Sequence, residues 1–357
     1  MSVMNHPNRS ARLANSVYKG PMAAFFPILL LAADDVADAV MASGVIARLH
    51  DEVPNAAFTI VAGPKSAPLF RELPSLERQV LERGNGVWSS LDLWRRLRRR
   101  RWGLILDPTG GRMAGWLAAQ RKAVAKPRNQ AGEHKVVQAA RLLMLENEPP
   151  APFLFVSEQT RARARELVGA GPPLLAVAPG AGWVGAAWPV ERMARAMVQL
   201  LSDSGPLADG RLLIVGGPED RPLAEELRRT ISRARTVDLS GEADPLTVYA
   251  ALAMARLYIG PAGGFTQLAA AAGAPTLGLY GPNDEAIEGP WGAKARTVRG
   301  PRGLEAIHSA DPTLSQQVCH LLDLTVDQVV TAARELLAQT ETKAETKTKP
   351  KPERTHG

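Results

Sequence analysis

The sequence predicts an α/β fold made of two Rossmann-like domains, each with a parallel sheet. Three observations carry this reading. Short apolar runs alternate with helical segments along most of the chain, as expected of strands covered on both faces by crossover helices. Glycine-rich turns stand where several of these strands hand over to a helix. The stretch ENEPPAP at 146–152 breaks the alternation near the middle. A length of 357 residues exceeds one comfortable core and suits two domains of roughly 150 residues each.

The elements follow in order. Residues 1–21 are polar and aperiodic and are expected to be a disordered extension. The first domain, 22–150, opens with a strand at 25–32 and a helix at 36–49. A strand at 57–61, a turn at Gly63-Pro64, a short helix ending near Pro74 and a strand at 79–81 come next. A basic helix, a strand at 103–106 and a helix at 113–123 follow. The second domain, 151–338, begins with a helix at 158–168 and the Gly171-Pro172-Pro173 turn. Strands at 174–178, 211–215 and 236–238 then alternate with helices at 190–201, 221–231 and 245–254. A strand at 257–259, an Ala-rich helix, a strand at 276–279 and a closing helix at 325–338 complete it. From 339 to 357 the chain is charged and of low complexity, a second expected disordered segment.

Composition narrows the partners. A hydrophobic content of 45% with 22% charged residues is that of an ordinary soluble globular chain. The formal charge of +7 points to an anionic partner. The densest basic cluster runs from Arg95 to Arg101 between Trp94 and Trp102. It is either a solvated helix face or a contact for anionic lipid headgroups or a phosphorylated acceptor. No stacking platform or nucleic-acid motif accompanies it, so nucleic acid is not expected. A single cysteine, Cys319, excludes an internal disulfide. The six histidines are scattered without metal-ligand spacing, so no metal site is expected. The apolar run at 22–33 imitates a signal peptide, but Pro27 interrupts it and Asp34-Asp35 closes it, so cytoplasmic residence is expected.

The segment 257–292, LYIGPAGGFTQLAAAAGAPTLGLYGPNDEAIEGPWG, resembles the donor-nucleotide segment of glycosyltransferase family 9, the lipopolysaccharide heptosyltransferases. The family form is G-x-D-[ST]-G-x-x-H-L-A-A-A-x-G-x-P, then a strand and G-P-T-D. Gly264, residues 269–271, Gly273, Pro275, Gly281, Pro282 and Asp284 match it. The family's Asp falls on Ala262, its Ser/Thr on Gly263 and its His on Gln267. Residues 179–182, Pro-Gly-Ala-Gly, resemble the family's phosphate turn, but Ala186 and Ala187 stand where a basic residue precedes Trp188-Pro189. Residues 215–220 resemble the G-G-x-x-E turn, with Asp220 at the acid. Asp220 is either a ribose ligand or the N-cap of the next helix. Trp188 is read as core.

In the first domain, 28–64 resembles the family opening, strand then G-D-x-[VL]-x-x-[TS]-P, with Ala37 at the glycine and Asp38 at the aspartate. The resemblance makes Asp38 the general base. On its own it reads equally as a first-turn helix acid. The turn from Asp107 to Arg112 resembles the family's D-x-Q-G. Asp107 and Arg112 are accordingly the expected acceptor contacts, although Arg112 also suits a plain turn cap.

The resemblance, over about 27–338, implies a GT-B arrangement in which two Rossmann-like domains face an interdomain cleft. It implies an inverting, metal-independent transfer of heptose from ADP-heptose to a lipopolysaccharide core acceptor, with no cofactor. Gly180, Ala181, Gly182, Asp220, Gly263, Gly264 and Gln267 would hold the donor. The acceptor would be an anionic, lipid-linked saccharide, reached by peripheral contact with the inner face of the inner membrane. Ala187, Ala262 and Gln267 keep two alternatives open, a binding or assembly protein that has lost transfer and a transferase for another nucleotide sugar.

Overall fold

The computed structural model describes residues 25–81, 87–126, 132–314 and 318–348. The expected extension at 1–21 and the end of the expected tail, 349–357, lie outside them. The chain divides into two compact units, Met1–Phe155 and Val156–Gly357. Among the described residues no helix is long and apolar enough to cross a membrane.

The first unit runs β1 (Phe26–Leu31), α1 (Val36–Met41), α2 (Ser43–Glu52), β2 (Ala56–Ala62), β3 (Leu76–Leu81), α3 (Val87–Leu97), β4 (Trp102–Asp107), β5 (Ala119–Val124) and α4 (Lys135–Arg141). Its strands form one parallel sheet in the order β3-β2-β1-β4-β5. Every residue of β2 and β4 is buried. Leu93 and Leu97 of α3 pack with Leu29, Leu31, Val61 and Ile105 of the sheet.

Two elements depart from the sequence reading. The helix expected at 36–49 breaks at Ala42. There the Ser43 hydroxyl donates to the Val40 carbonyl at 2.6 Å and accepts the Phe153 N–H at 2.9 Å. The proline-rich segment thus lies directly on α2, and His50 stacks on Phe155 with ring centroids 5.0 Å apart. The helix expected at 113–123 is instead one 3-10 turn, Met113–Trp116, followed by β5. The AQRKAV of β5 alternates half-buried and exposed positions through its first four residues, the two-residue period of a strand at a sheet edge.

The basic run is partly spent inside the molecule. Arg96 pairs with Asp92 and Arg100 with Glu77, each at 2.5 Å. The Arg98 guanidinium lies 4.5 Å from the centroid of the Trp94 ring. Trp102 is core. Arg95, Arg99 and Arg101 are exposed and make no ion pair among the described residues.

The second unit runs α5 (Glu158–Val168), β6 (Leu174–Val177), α6 (Val190–Leu201), β7 (Arg211–Ile214), α7 (Arg221–Thr230), β8 (Thr236–Asp238), α8 (Pro245–Leu252), β9 (Ala255–Pro261), α9 (Gly264–Ala271), β10 (Thr276–Tyr280), α10 (Glu285–Glu288), β11 (Ala295–Arg299), α11 (Leu304–Ala310) and α12 (Val326–Thr348). All six strands are parallel, in the order β11-β10-β9-β6-β7-β8. Trp188 is buried in the core beside Met193 and Met197, and its indole N–H donates to the Leu324 carbonyl at 3.1 Å.

The helix α12 continues ten residues past 338, where a disordered tail was expected. Six of this extension's ten residues are Glu, Lys, Ala or Gln, which lose little on entering a helix, against four Thr. It is also tied down, because Thr340 is buried and Glu341 pairs with Arg256 at 2.5 Å.

A Cβ on Gly44 would lie 2.4 Å from the Pro150 carbonyl oxygen and 2.5 Å from that of Ala151. Backbone cannot rotate aside, so Gly44→Ala is expected to destabilise the first unit by about 1–3 kcal/mol. Thermal unfolding of the full chain measures this, and an unchanged midpoint would show that the 150–155 segment is not held against α2.

Candidate active site

In the first unit the strand order reverses at β1 and β4, so the loops that follow them diverge and leave a crevice. A cavity of about 470 Å³ occupies it, lined among others by Asp34, Asp35, Asp38, Thr109, Lys135 and Gln138. Two of the three carboxylates have structural work. Asp34 accepts the Lys65 N–H at 3.4 Å and fills the space that a Cβ on Gly63 would need. Asp35 is the N-cap of α1 and accepts the Asp38 N–H at 3.0 Å. Asp38 instead meets another side chain. Its Oδ1 lies 2.6 Å from the Lys135 ammonium, and the two side chains are 40% and 32% exposed. Among the described residues its Oδ2 makes no hydrogen bond.

Lys135 was not among the candidates drawn from the sequence. A signal was present all the same. His134 caps α4, its Nδ1 accepting the Val136 N–H at 3.2 Å. Lys135 is therefore the first helical residue, where the helix dipole disfavours a cation.

Of the two expected acceptor residues, Asp107 lies at the end of β4 and does not line the cavity. It is fully buried, and its Oδ1 accepts the Thr109 N–H at 3.0 Å and the Thr109 hydroxyl at 2.7 Å. It closes the turn after β4, and Thr109 is the residue that turn presents to the cavity. Arg112 is exposed at the head of the 3-10 turn and does not line the cavity.

In the second unit the strand order reverses at β6 and β9, which are hydrogen-bonded neighbours. The turn 179–182 follows β6 and the turn 262–264 follows β9. Gly182 is exposed and Gly180, Ala181, Gly263 and Gly264 are half-buried. No atom lies within 4 Å of a Cβ built on Gly182 or Gly263, so both turns offer open backbone. Gly263 has φ +156° and is the N-cap of α9, whose first N–H groups point out of the helix end. Below, the Thr266 hydroxyl donates to the Pro261 carbonyl at 2.6 Å and fixes the turn.

Asp220 and Gln267 face inward, unlike the donor contacts expected of them. The Asp220 carboxylate accepts the Gly217 N–H at 2.8 Å, and a Cβ on Gly180 would lie 1.7 Å from its other oxygen. It braces one turn against the other, neither meeting solvent as a ribose ligand would nor capping α7 through its side chain. Burial raises its pKa above the usual carboxylate value, and the Glu219 charge adds to this against the pull of the Gly217 N–H. Gln267 is 2% exposed, and its amide donates to the Glu288 carbonyl at 2.8 Å.

The model of glycosyltransferase family 9 (heptosyltransferase) matches residues 108–313, more than half of the chain. The chain belongs to glycosyltransferase family 9. No curated protein matches it in sequence. Among solved structures it is similar to the Escherichia coli ADP-heptose lipopolysaccharide heptosyltransferase II, at 20% identity and a TM-score of 0.69, over 88% of this chain and 100% of that one. It is also similar to a family 9 glycosyltransferase from Veillonella parvula, at 16% identity and 0.72, over 90% and 100%. The E. coli heptosyltransferase WaaC with ADP shares 17% identity at 0.64, over 87% and 100%. The two parallel sheets with their helices match the GT-B fold of these family 9 structures. The family match begins after β4, so Asp38 precedes it.

The buried Asp220 gives a pH test of the donor-side turn in this family 9 chain. With its folded-state pKa raised, its contribution to stability is complete below the unfolded value of about 3.9 and is lost as pH rises through the folded value. Asp220→Asn keeps an acceptor for Gly217 and removes the titration. The variant should therefore gain thermal stability relative to the parent between about pH 4 and pH 7. A difference in unfolding midpoint that stays constant over that range would overturn the assignment.

Proposed function

We propose that this family 9 glycosyltransferase moves a heptose from ADP-heptose to a lipopolysaccharide core acceptor, with inversion and without a metal. The observation that carries the reading is Asp38, a carboxylate with one unbonded oxygen, lining the cavity at the strand reversal of the first unit. An acceptor hydroxyl is a poor nucleophile, and positioned removal of its proton contributes on the order of 10²–10⁴-fold. The hydroxyl oxygen forms its bond to the anomeric carbon while the bond from that carbon to the phosphate oxygen breaks. The bonding pair leaves with ADP and the proton passes to Asp38.

On the donor side the backbone N–H groups of 180–182 and 263–264, with the N-terminus of α9, would receive the phosphate charge. Asp220 and Gln267 act in this reading by holding those turns. Arg112, exposed on the rim of the first unit, would meet an anionic group of the acceptor. Work would take place in the cytoplasm, on the inner face of the inner membrane, with the exposed Arg95, Arg99 and Arg101 against anionic headgroups. A different nucleotide sugar is the second reading, favoured by Ala187 and Ala262 at places where the family carries charge.

Calorimetric titration with ADP, UDP and GDP separates these readings, followed by a transfer assay with ADP-heptose. ADP is expected to bind, and Asp38→Asn to lower turnover on the order of 10²-fold or more with unchanged ADP affinity. Selective binding of UDP or GDP would install the second reading. Absence of any nucleotide binding would leave a binding or assembly protein. An Asp38→Asn enzyme of near-parental rate would mean that another group takes the proton.

A further inference from the structure

The proposed transfer step uses Asp38 but leaves its closest neighbour without a role. We infer that Lys135 is a positioning residue for the transfer, its ammonium holding Oδ1 of Asp38 so that Oδ2 is presented to the acceptor hydroxyl. The inference rests on the reading of Asp38 as base. The contact joins the first turn of α1 to the first residue of α4 across 97 positions of sequence, at 2.6 Å.

A solvated ion pair contributes little to stability, so stability is a weak reason for this one. The local structure is a reason against it, since Lys135 sits at the positive end of its helix with His134 already supplying the cap. Locally unfavourable placements are expected where a site needs a particular group. Among the described residues lining the cavity, Lys135 is the single cation facing three carboxylates. Asp34 and Asp35 are held by backbone N–H groups, whereas the Asp38 side chain is held by Lys135.

The ammonium therefore does for Asp38 what the backbone does for its neighbours. It removes rotational freedom from the carboxylate and leaves one oxygen to take the proton. Lys135 itself neither gains nor loses a proton in the step. It also lowers the negative charge that the cavity presents to an anionic acceptor. Orientation of the base is the larger benefit, because misplacing a reacting group by about 1 Å can cost on the order of 10²-fold.

The test uses the full chain with ADP-heptose and a core saccharide acceptor. Lys135→Met is expected to lower kcat about tenfold or more while KM for ADP-heptose stays within about twofold. Lys135→Arg, which keeps the charge, should recover most of the loss. An unchanged kcat in Lys135→Met, or an Arg variant no better than Met, would overturn the positioning role. A second measurement does not depend on turnover. Carbodiimide coupling of glycine ethyl ester to Asp38, followed by peptide mass spectrometry, should run faster in Lys135→Met than in the parent. Equal rates would overturn the pairing. A parent that shows slow labelling but no transfer of heptose would overturn the transferase reading, and the positioning role with it, while leaving the ion pair demonstrated.

Discussion

The constraint on which the rest of the molecule depends is the single reversal of strand order in each parallel sheet. Crossover helices cover the faces of both sheets, and neighbouring strands elsewhere are closed over by the connections that join them. At β1 and β4, and again at β6 and β9, successive connections leave in opposite directions. Only there can groups gather beyond the strand ends without displacing a helix. The two units use this opening differently. The first fills it with ionisable side chains, three carboxylates and an ammonium. The second keeps it nearly free of side chains and offers glycine backbone.

Both openings are shaped from beneath by a buried acid. Asp107 after β4 accepts from Thr109, and Asp220 after β7 accepts from Gly217. A carboxylate oxygen there replaces a missing backbone partner in a turn that leaves the sheet, and the cost is desolvation, visible in the raised pKa of Asp220. The glycines follow from the acids. Gly180 and Gly216 lie so close to Asp220 that a Cβ on either would come within 2.8 Å of it. Gly180 is therefore required by the packing beneath its turn.

This explains which parts of the molecule were legible in the sequence. The central strands were, because strands buried on both faces are continuous apolar runs. The edge strands β5 and β11 were not, since ARTVR and AQRKAV carry polar residues on their solvent side. An acid at a strand end is visible as an acid, but the direction of its side chain is not. Asp107 and Asp220 consequently read as ligands, and the structure shows them buried and hydrogen-bonded to their own turns. The inward turn of Gln267 to Glu288 was hidden for the same reason, although its place at the family's histidine was plain. Asp38 was singled out by its resemblance to the family opening, and it lines the cavity. Lys135 was hidden because its partner is 97 residues away and its only local trace is a cation on the wrong end of a helix.

The turns 179–182 and 262–264 carry no charged side chain, so in the proposed reading weight shifts onto rigidity. A lysine or an aspartate can swing toward a ligand, whereas a backbone N–H contributes only if the turn already points the right way. The structure supplies that stiffness around the loop after β10. Gln267 and the Tyr280 hydroxyl both donate to the Glu288 carbonyl at 2.8 Å. Arg299 donates to the Gly281 and Asn283 carbonyls and pairs with Glu285, while His308 meets the Pro282 carbonyl at 2.9 Å. Four residues from four elements thus converge on one eight-residue segment, and Asp284 caps α10 within it. Gln267 is central to this arrangement because it ties α9, whose N-terminus borders the Gly263 turn, to that same loop. A residue that departs from the family's histidine can thereby serve the donor side through the scaffold, without touching the nucleotide.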